Sequence, residues 1–387
     1  MREVIEQCDS WFRQGEPFAL ATVVRTWQSS PRPAGAAMAV SATGEVVGSV
    51  SGGCVEGAVY ELARQVLDTG EPATETYGVQ DDSAFAVGLT CGGTIEVFVE
   101  LIDPRTFPEF PRLASAIKAR EPVSTATVVG CDARAGRHLV VNGRSALGSL
   151  GPERLNAAVS VQARGFLKSG RTGAIRLGRD GESRNEDLTV FVASFAPPPR
   201  MLVFGAIDFA GAMVRIGKFL GYDVTLCDAR PVFATSSRFP EADEVIVAWP
   251  HEYLSSTPVD ARTAICVLTH DPKFDIPLLR TALRTEAAYI GAMGSRRTHE
   301  DRMARLRELG TSETDLRRLS SPIGLDLGAC TPEETAVSIA AEIIACTWGG
   351  TGQRLSSLSA PIHRRRGGDS PVPRPAVPAG HLMRSEP

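Results

Sequence analysis

An α/β fold in two domains is what the sequence predicts: an N-terminal mixed α+β domain over 1–196, a doubly wound parallel-sheet domain over 200–349, and a disordered tail over 350–387. Three observations carry the prediction. The 387 residues exceed the roughly 250 at which single hydrophobic cores stop growing. The run Ala196-Pro197-Pro198-Pro199 interrupts the patterns around it, because consecutive prolines lack amide donors and favour extended chain. Beyond it, apolar runs of four to six residues alternate with helical patterns, as expected of parallel strands buried on both faces.

Within the first domain, FALATVVRTW reads as a strand, SSPRPAG as a turn, and AMAVSATGEVVGSV as a hairpin about Ala42-Thr43-Gly44. A helix follows from about Val55 to Asp68, with Val59, Leu62, Ala63 and Val66 on one stripe. TIEVFVELI, after GLTCGG, is a further strand. From 108 to 198, short strands such as ATVVGCD and HLVVNGR alternate with helical stretches and end in DLTVFVASF.

The second domain runs strand, glycine turn, helix, strand through RMLVFGAID, YDVTLCDAR, EVIVAWP, TAICVLTH and AAYIGAMGS. After its first strand, Gly205-Ala206-Ile207-Asp208-Phe209-Ala210 stands where a dinucleotide fingerprint reads GxGxxG/A. Gly205 and Ala210 fit; Ile207 takes the place of the second glycine and disfavours an NAD(P) site. Asp228 stands about where an acidic group receives ribose hydroxyls, so a Rossmann-like scaffold either binds a nucleotide or keeps only its frame. Gly291, Gly294, Ser295, Arg296 and Arg297 form a glycine turn entering a helix, which suits an anion such as phosphate; the bland alternative is a tight turn with solvated arginines. Thr331, Pro332 and Glu334 spell a capping box, with Asp326 and Cys330 in the loop before it, at the sheet edge where such folds bind ligands. In THDPKFD, His270, Asp271 and Asp275 read as a helix cap or polar pocket rather than a metal site. The Pro-, Gly-, Ser- and Arg-rich tail, with His363 to Arg366, reads as solvated chain.

A net charge of −4 offers no general attraction to a polyanion, which sets nucleic acid aside. MREVIEQCDSWF lacks an apolar leader and no apolar run approaches the roughly 18 residues of a membrane span, so a cytoplasmic protein with no membrane span is expected. The eight cysteines contain no CxxC pair and suggest no disulfide framework. Two are flanked by glycine: Cys54, behind Gly52 and Gly53 at the start of the predicted helix, and Cys91 in GLTCGG. A helix N-terminus favours an anionic sulfur in general. A zinc site would need about four ligands, and a cysteine hydrolase a positioned base, yet His138, the first domain's only histidine, lies in a strand-like segment. Sulfur handling, cofactor contact and simple packing stay open for both cysteines. Arg32, between two prolines, is a rigid basic finger that either faces an acidic ligand or braces its turn.

Taken in order, these motifs resemble the XdhC/CoxI family, accessory proteins of molybdenum hydroxylases. The resemblance runs from Phe18 to Ile344, through ATVVRTWQSSPRPAGAAM, GSVSGGCVEG, GLTCGG, DARPVFATSSRFPEAD, VLTHD, YIGAMGSRR and PIGLDLGACTPEETAVSIAAEII. It implies a Rossmann-like second domain. It also implies a non-catalytic chaperone that binds molybdenum cofactor (molybdopterin or its cytosine dinucleotide form), protects it during sulfuration by a cysteine desulfurase, and inserts it into an apo molybdenum hydroxylase. A homodimer is compatible with such partner-mediated assembly. Cys54 and Cys91 are the candidates for contacting molybdenum or its sulfur. The family's glycine turn reads more like GAGHVA, so Ile207 and Asp208 are departures, and THDPKFD lacks the second histidine often seen after HD.

Overall fold

The computed structural model describes residues 1–27, 30–78, 93–183 and 186–359. Cys91 and the tail expected beyond 359 lie outside the described residues. The N-terminal region opens with α1 (Ile5–Gln14), β1 (Phe18–Trp27), β2 (Ala37–Ser41), β3 (Val46–Gly48), α2 (Glu56–Thr69), β4 (Ala73–Gly78) and β5 (Thr94–Ile102). The same series then recurs: α3 (Phe110–Lys118), β6 (Val123–Val129), β7 (His138–Asn142), β8 (Ala146–Gly148), α4 (Glu153–Ser169), β9 (Gly173–Leu177) and β10 (Leu188–Phe195). Each series makes one antiparallel five-stranded sheet, ordered β3-β2-β1-β5-β4 and β8-β7-β6-β10-β9.

Register makes the equivalence residue by residue. Thr22 faces Ala37 across β1 and β2, as Thr127 faces His138 across β6 and β7. Gly48 (φ 81°) and Gly148 (φ 90°) end the third strands, where an added Cβ would lie 2.4 Å from the Ala37 carbonyl and 2.6 Å from that of His138. Only a residue without a side chain fits there.

The period-two alternation of the strands sorts the core into layers. In β1, Phe18, Leu20 and Val24 face inward, where they meet Phe191, Ala193 and Phe195 of the other sheet together with Trp11 of α1 and Phe110 of α3. Ala19, Ala21 and Val23 face out, under Val59, Ala63 and Val66 of α2. On the far side, Ala126, Val128 and Val190 lie under Leu155, Val159 and Ala163 of α4. The result is a helix, two sheets and a helix, with one shared apolar centre.

Past the prolines come β11 (Arg200–Phe204), α5 (Asp208–Phe219), β12 (Asp223–Asp228), β13 (Glu244–Val247), α6 (Pro250–Ser256), β14 (Ala264–Val267), α7 (Pro272–Ala282), β15 (Tyr289–Ala292), α8 (Arg296–Glu308), α9 (Glu313–Leu316), β16 (Leu319–Ser320) and α10 (Pro332–Trp348). All six strands are parallel, in the order β13-β12-β11-β14-β15-β16. That is the doubly wound order with its switch point between β11 and β14, and helices cover both faces. The predicted capping box is present: Thr331 Oγ1 accepts from the Glu334 amide at 3.2 Å and Glu334 Oε2 from the Thr331 amide at 3.1 Å.

Candidate functional site

At one edge of the first sheet β1, β3 and β4 end while β2 and β5 begin, as the pairs Met38 with Gly48, Trp27 with Thr94 and Gly78 with Thr94 establish. The turn after Gly48 leaves from this edge, its Ser49 amide donating to the Ala37 carbonyl at 3.1 Å. Gly52 (φ 81°) and Gly53 (φ 119°) then turn the chain back, with nothing near the Cβ that either lacks. Conformation, not crowding, selects glycine at both positions.

The centre of this turn is Glu56, the first residue of α2. Its carboxylate accepts from Ser49 Oγ (2.6 Å), the Ser51 amide (2.9 Å), Ser51 Oγ (2.6 Å), and the amides of Gly52 (3.0 Å), Gly53 (2.9 Å) and Val55 (3.2 Å). Burial alone would raise the carboxyl, but the hydroxyls of Ser49 and Ser51 and the backbone amides hold it at about 2. Cys54 rides on this frame, half-buried, its amide donating to Ser51 Oγ at 3.0 Å and its side chain against the layer under α2. The N-cap residue of α2, Val55, has no capping side chain, and Glu56 folds back over the helix start in its stead.

Arg32 lies in the turn leading into β2 and its Nη2 meets Glu3 Oε2 at 2.6 Å, with 29% of its side chain exposed. This ion pair ties the turn to the chain before α1. Cys91 is outside the described residues, so no geometry attaches to it.

The equivalent turn of the second sheet is built differently. α4 starts five residues after Gly148, whereas α2 starts eight after Gly48. The shorter turn contains neither a cysteine nor the paired glycines, and Asn156 closes it by accepting from the Leu150 amide at 2.8 Å and donating to Ser149 Oγ at 3.0 Å. Cys131 sits instead in the exposed turn after β6, where it, Asp132, Arg134 and Arg179 line an open cavity of about 420 Å³. Arg134 is committed there to Asp132 (2.9 Å) and to the Arg179 carbonyl (3.0 Å), and its hydrogen bonds hold the Asp132 carboxyl below the ordinary range.

On the parallel sheet, Gly205 (φ 109°) is required, since a Cβ would stand 2.8 Å from Thr269 Cγ2. Ile207 is the N-cap residue of α5 and caps nothing with its side chain. Asp228 is buried, and its oxygens accept from the Ala206 amide (2.8 Å), the Arg230 amide (2.9 Å), Arg230 Nε (2.9 Å) and Arg230 Nη2 (2.8 Å). Burial would raise this carboxyl, but those bonds hold it below the usual range. The carboxylate is therefore engaged by Arg230 and by the Ala206 amide of the glycine turn.

After β15, Gly294 has φ 153° and Ser295 caps α8, its Oγ accepting from the Thr298 amide at 3.2 Å. Arg296 and Arg297 are exposed in the first turn of α8. Gly291 is a strand residue where an added Cβ would stand 2.5 Å from Ile323 Cδ1, so close packing in the sheet requires glycine there. Sequence reasoning missed Arg302, which is buried and donates to Asp275 Oδ2, the Met293 carbonyl and Ser321 Oγ, each at 2.9 Å. It ties this turn to α7 and to the chain before α10; an arginine among the many charges of THEDRMARLRE carries no mark of burial in sequence. Asp326 and Cys330 are exposed before α10. Asp271 caps α7 by accepting from the Lys273 amide at 3.0 Å, while His270 points to the exterior. Among the described residues no group of three His, Cys, Asp or Glu is placed to hold a metal ion, and no helix is long and apolar enough to cross a membrane.

Fold and site together define a two-part protein: a duplicated sheet pair presenting a cysteine on a glycine turn, joined to a dinucleotide-binding type of sheet whose acidic residue is internally paired. The XdhC and CoxI family matches residues 11–78 and 116–178, corresponding pieces of the two sheets, and the XdhC Rossmann domain matches 201–343. The chain belongs to this family. It is 28% identical over 342 residues to a probable xanthine dehydrogenase subunit from Bacillus subtilis (strain 168), covering 87% of this chain and 95% of that one. It is 26% identical over 329 residues to the molybdenum cofactor insertion chaperone PaoD of Escherichia coli (strain K12), covering 85% and 83%. A crystal structure described as a xanthine dehydrogenase from Bacillus halodurans shares the fold, with a TM-score of 0.63 at 24% identity over 92% of this chain and 98% of that one.

Proposed function

We propose that this protein is an accessory chaperone of a molybdenum hydroxylase of the xanthine dehydrogenase or carbon monoxide dehydrogenase type. It takes up molybdenum cofactor as cargo in the cytoplasm, shields it while a cysteine desulfurase supplies the terminal sulfur, and hands it to the apo enzyme. The observation that carries the reading is the Cys54 turn, a thiol on a backbone held by six hydrogen bonds, present on one sheet of the duplicated pair and lacking on the other. Soft sulfur suits molybdenum or its sulfido ligand better than carboxylate does, so Cys54, with Cys91, is assigned that contact. The turn of Gly294 and Ser295, with exposed Arg296 and Arg297, offers the anion site that a pterin phosphate or cytosine dinucleotide needs.

Similarity to a cofactor-insertion chaperone and to a probable xanthine dehydrogenase component supports both the cargo and the class of client. An NAD(P)-linked oxidoreductase has less support, because Ile207 occupies the turn and Asp228 is engaged by Arg230. The test is reconstitution under anaerobic conditions. Apo hydroxylase, molybdenum cofactor, desulfurase and cysteine are mixed with or without this protein, and hydroxylase activity is followed. Faster and fuller activation with the protein is expected; equal activation without it would end the proposal.

A further inference from the structure

The glycine turn before α2 has the shape of an anion cradle. Successive amides of Ser51, Gly52 and Gly53 converge on one point, beside the hydroxyls of Ser49 and Ser51 and the Val55 amide at the start of α2. Such convergence ordinarily receives an external oxyanion. Here the point is filled from within by the Glu56 carboxylate. Ser51 Oγ links this centre to the thiol's own backbone, donating to Glu56 at 2.6 Å while accepting from the Cys54 amide at 3.0 Å and the Val55 amide at 3.1 Å. The second sheet solves the same closure with neutral Asn156, and its turn presents no thiol.

We infer that Glu56 is a positioning residue for Cys54: its carboxylate fixes the thiol-bearing turn and occupies the cradle, so that the cargo's anionic groups are received elsewhere. The inference rests on the proposed role of Cys54 as the contact for cofactor sulfur. A fixed negative charge at this place also offsets the positive field of the turn amides and of the α2 N-terminus, which would otherwise act on the neighbouring sulfur.

The test uses the full-length protein without cofactor and iodoacetamide as the probe. Alkylation of the peptide containing Cys54 is followed by mass spectrometry from pH 6 to 9, in the wild type, Glu56→Gln and Asn156→Ala. Glu56→Gln is expected to raise the rate at pH 7 by about three- to tenfold and to move the profile toward lower pH, since loss of the carboxylate both loosens the turn and frees its amides. Asn156→Ala is expected to leave Cys54 within about twofold of wild type, the change being remote from the turn. If Glu56→Gln fails to fold, Ser49→Ala, which removes one donor and keeps the charge, is expected to raise the rate without moving the profile. An unchanged rate and profile in Glu56→Gln, or in Ser49→Ala where that variant stands in, would overturn the inference. So would an equal effect from Asn156→Ala. Failure of the wild type to bind cofactor would end the proposed function and leave these alkylation results to decide the role of Glu56 by themselves.

Discussion

Between β3 and α2 the chain uses seven residues and the half-buried Glu56 carboxylate to present Cys54; between β8 and α4 it uses four residues and a neutral amide to close the same corner. The two sheets share strand order, the register beside their second strands and the glycine that ends their third. What differs is the length and chemistry of the turn on one edge. A duplicated scaffold can hold one copy to the requirements of the core while the other presents a thiol on its turn, because turns at a sheet edge tolerate change where paired strands do not.

The inner faces differ as well. His138 and Glu100 meet between the sheets, with Nε2 3.0 Å from Oε2 but off the direction of a good hydrogen bond; His138 Nδ1 lies 3.1 Å from Thr127 Oγ1, and Phe107 stacks on the ring. Both side chains are buried. The positions related to them by the duplication are Ala37 and Ala193. One contact between the sheets is therefore polar and its counterpart is packed with alanine.

The largest effect is expected there. His138→Ala or Glu100→Ala alone should cost about 3–5 kcal/mol in urea unfolding, because each leaves its partner buried without a counter-group, whereas the double variant should cost less than the sum of the two. Additive costs would mean that the two side chains do not act as a pair. Next in size, Gly48→Ala and Gly148→Ala should each destabilise by about 1–3 kcal/mol, because both place a methyl group against a strand carbonyl. A large difference between the two would break the equivalence of the sheets.

A smaller effect depends on pH. Glu56, held at about 2 against an ordinary 4.5, contributes stability that is fully present above the ordinary value and is lost as pH falls through the window down to about 2. The gap in urea midpoint between wild type and Glu56→Gln should therefore narrow from pH 7 to pH 3. The gap for Asn156→Ala, which removes no charge, should stay constant. A constant gap for Glu56→Gln would contradict the hydrogen-bonded carboxylate.

Much of the fold was legible because it is written locally. The alternation in FALATVVRTW, the stripe Val59, Ala63 and Val66, the capping box at Thr331 and the strand-turn-helix rhythm after Arg200 each depend on residues a few positions apart. The duplication was not legible, because corresponding strands share alternation and little identity, while pairing such as Thr22 with Ala37 and Thr127 with His138 is visible only in the folded chain. The site was half legible. Glycines around Cys54 announced a special turn, but a glutamate in a first helical turn ordinarily signals favourable interaction with the helix dipole and nothing more. That Glu56 folds back onto six donors, that Arg230 and the Ala206 amide engage Asp228, and that Arg302 is buried under the turn after β15 all depend on tertiary packing.

Only one of the two equivalent edges, that of Cys54, is proposed to handle cargo. This is tested most directly by anaerobic loading of the full-length protein with molybdenum cofactor, followed by measurement of molybdenum and pterin retained after gel filtration, for the wild type, Cys54→Ala and Cys131→Ala. Retention by the wild type is expected, with a loss of about tenfold or more in Cys54→Ala, equivalent to about 1.4 kcal/mol, and retention within about twofold of wild type in Cys131→Ala. Equal retention by all three proteins, or a loss confined to Cys131→Ala, would contradict the proposal.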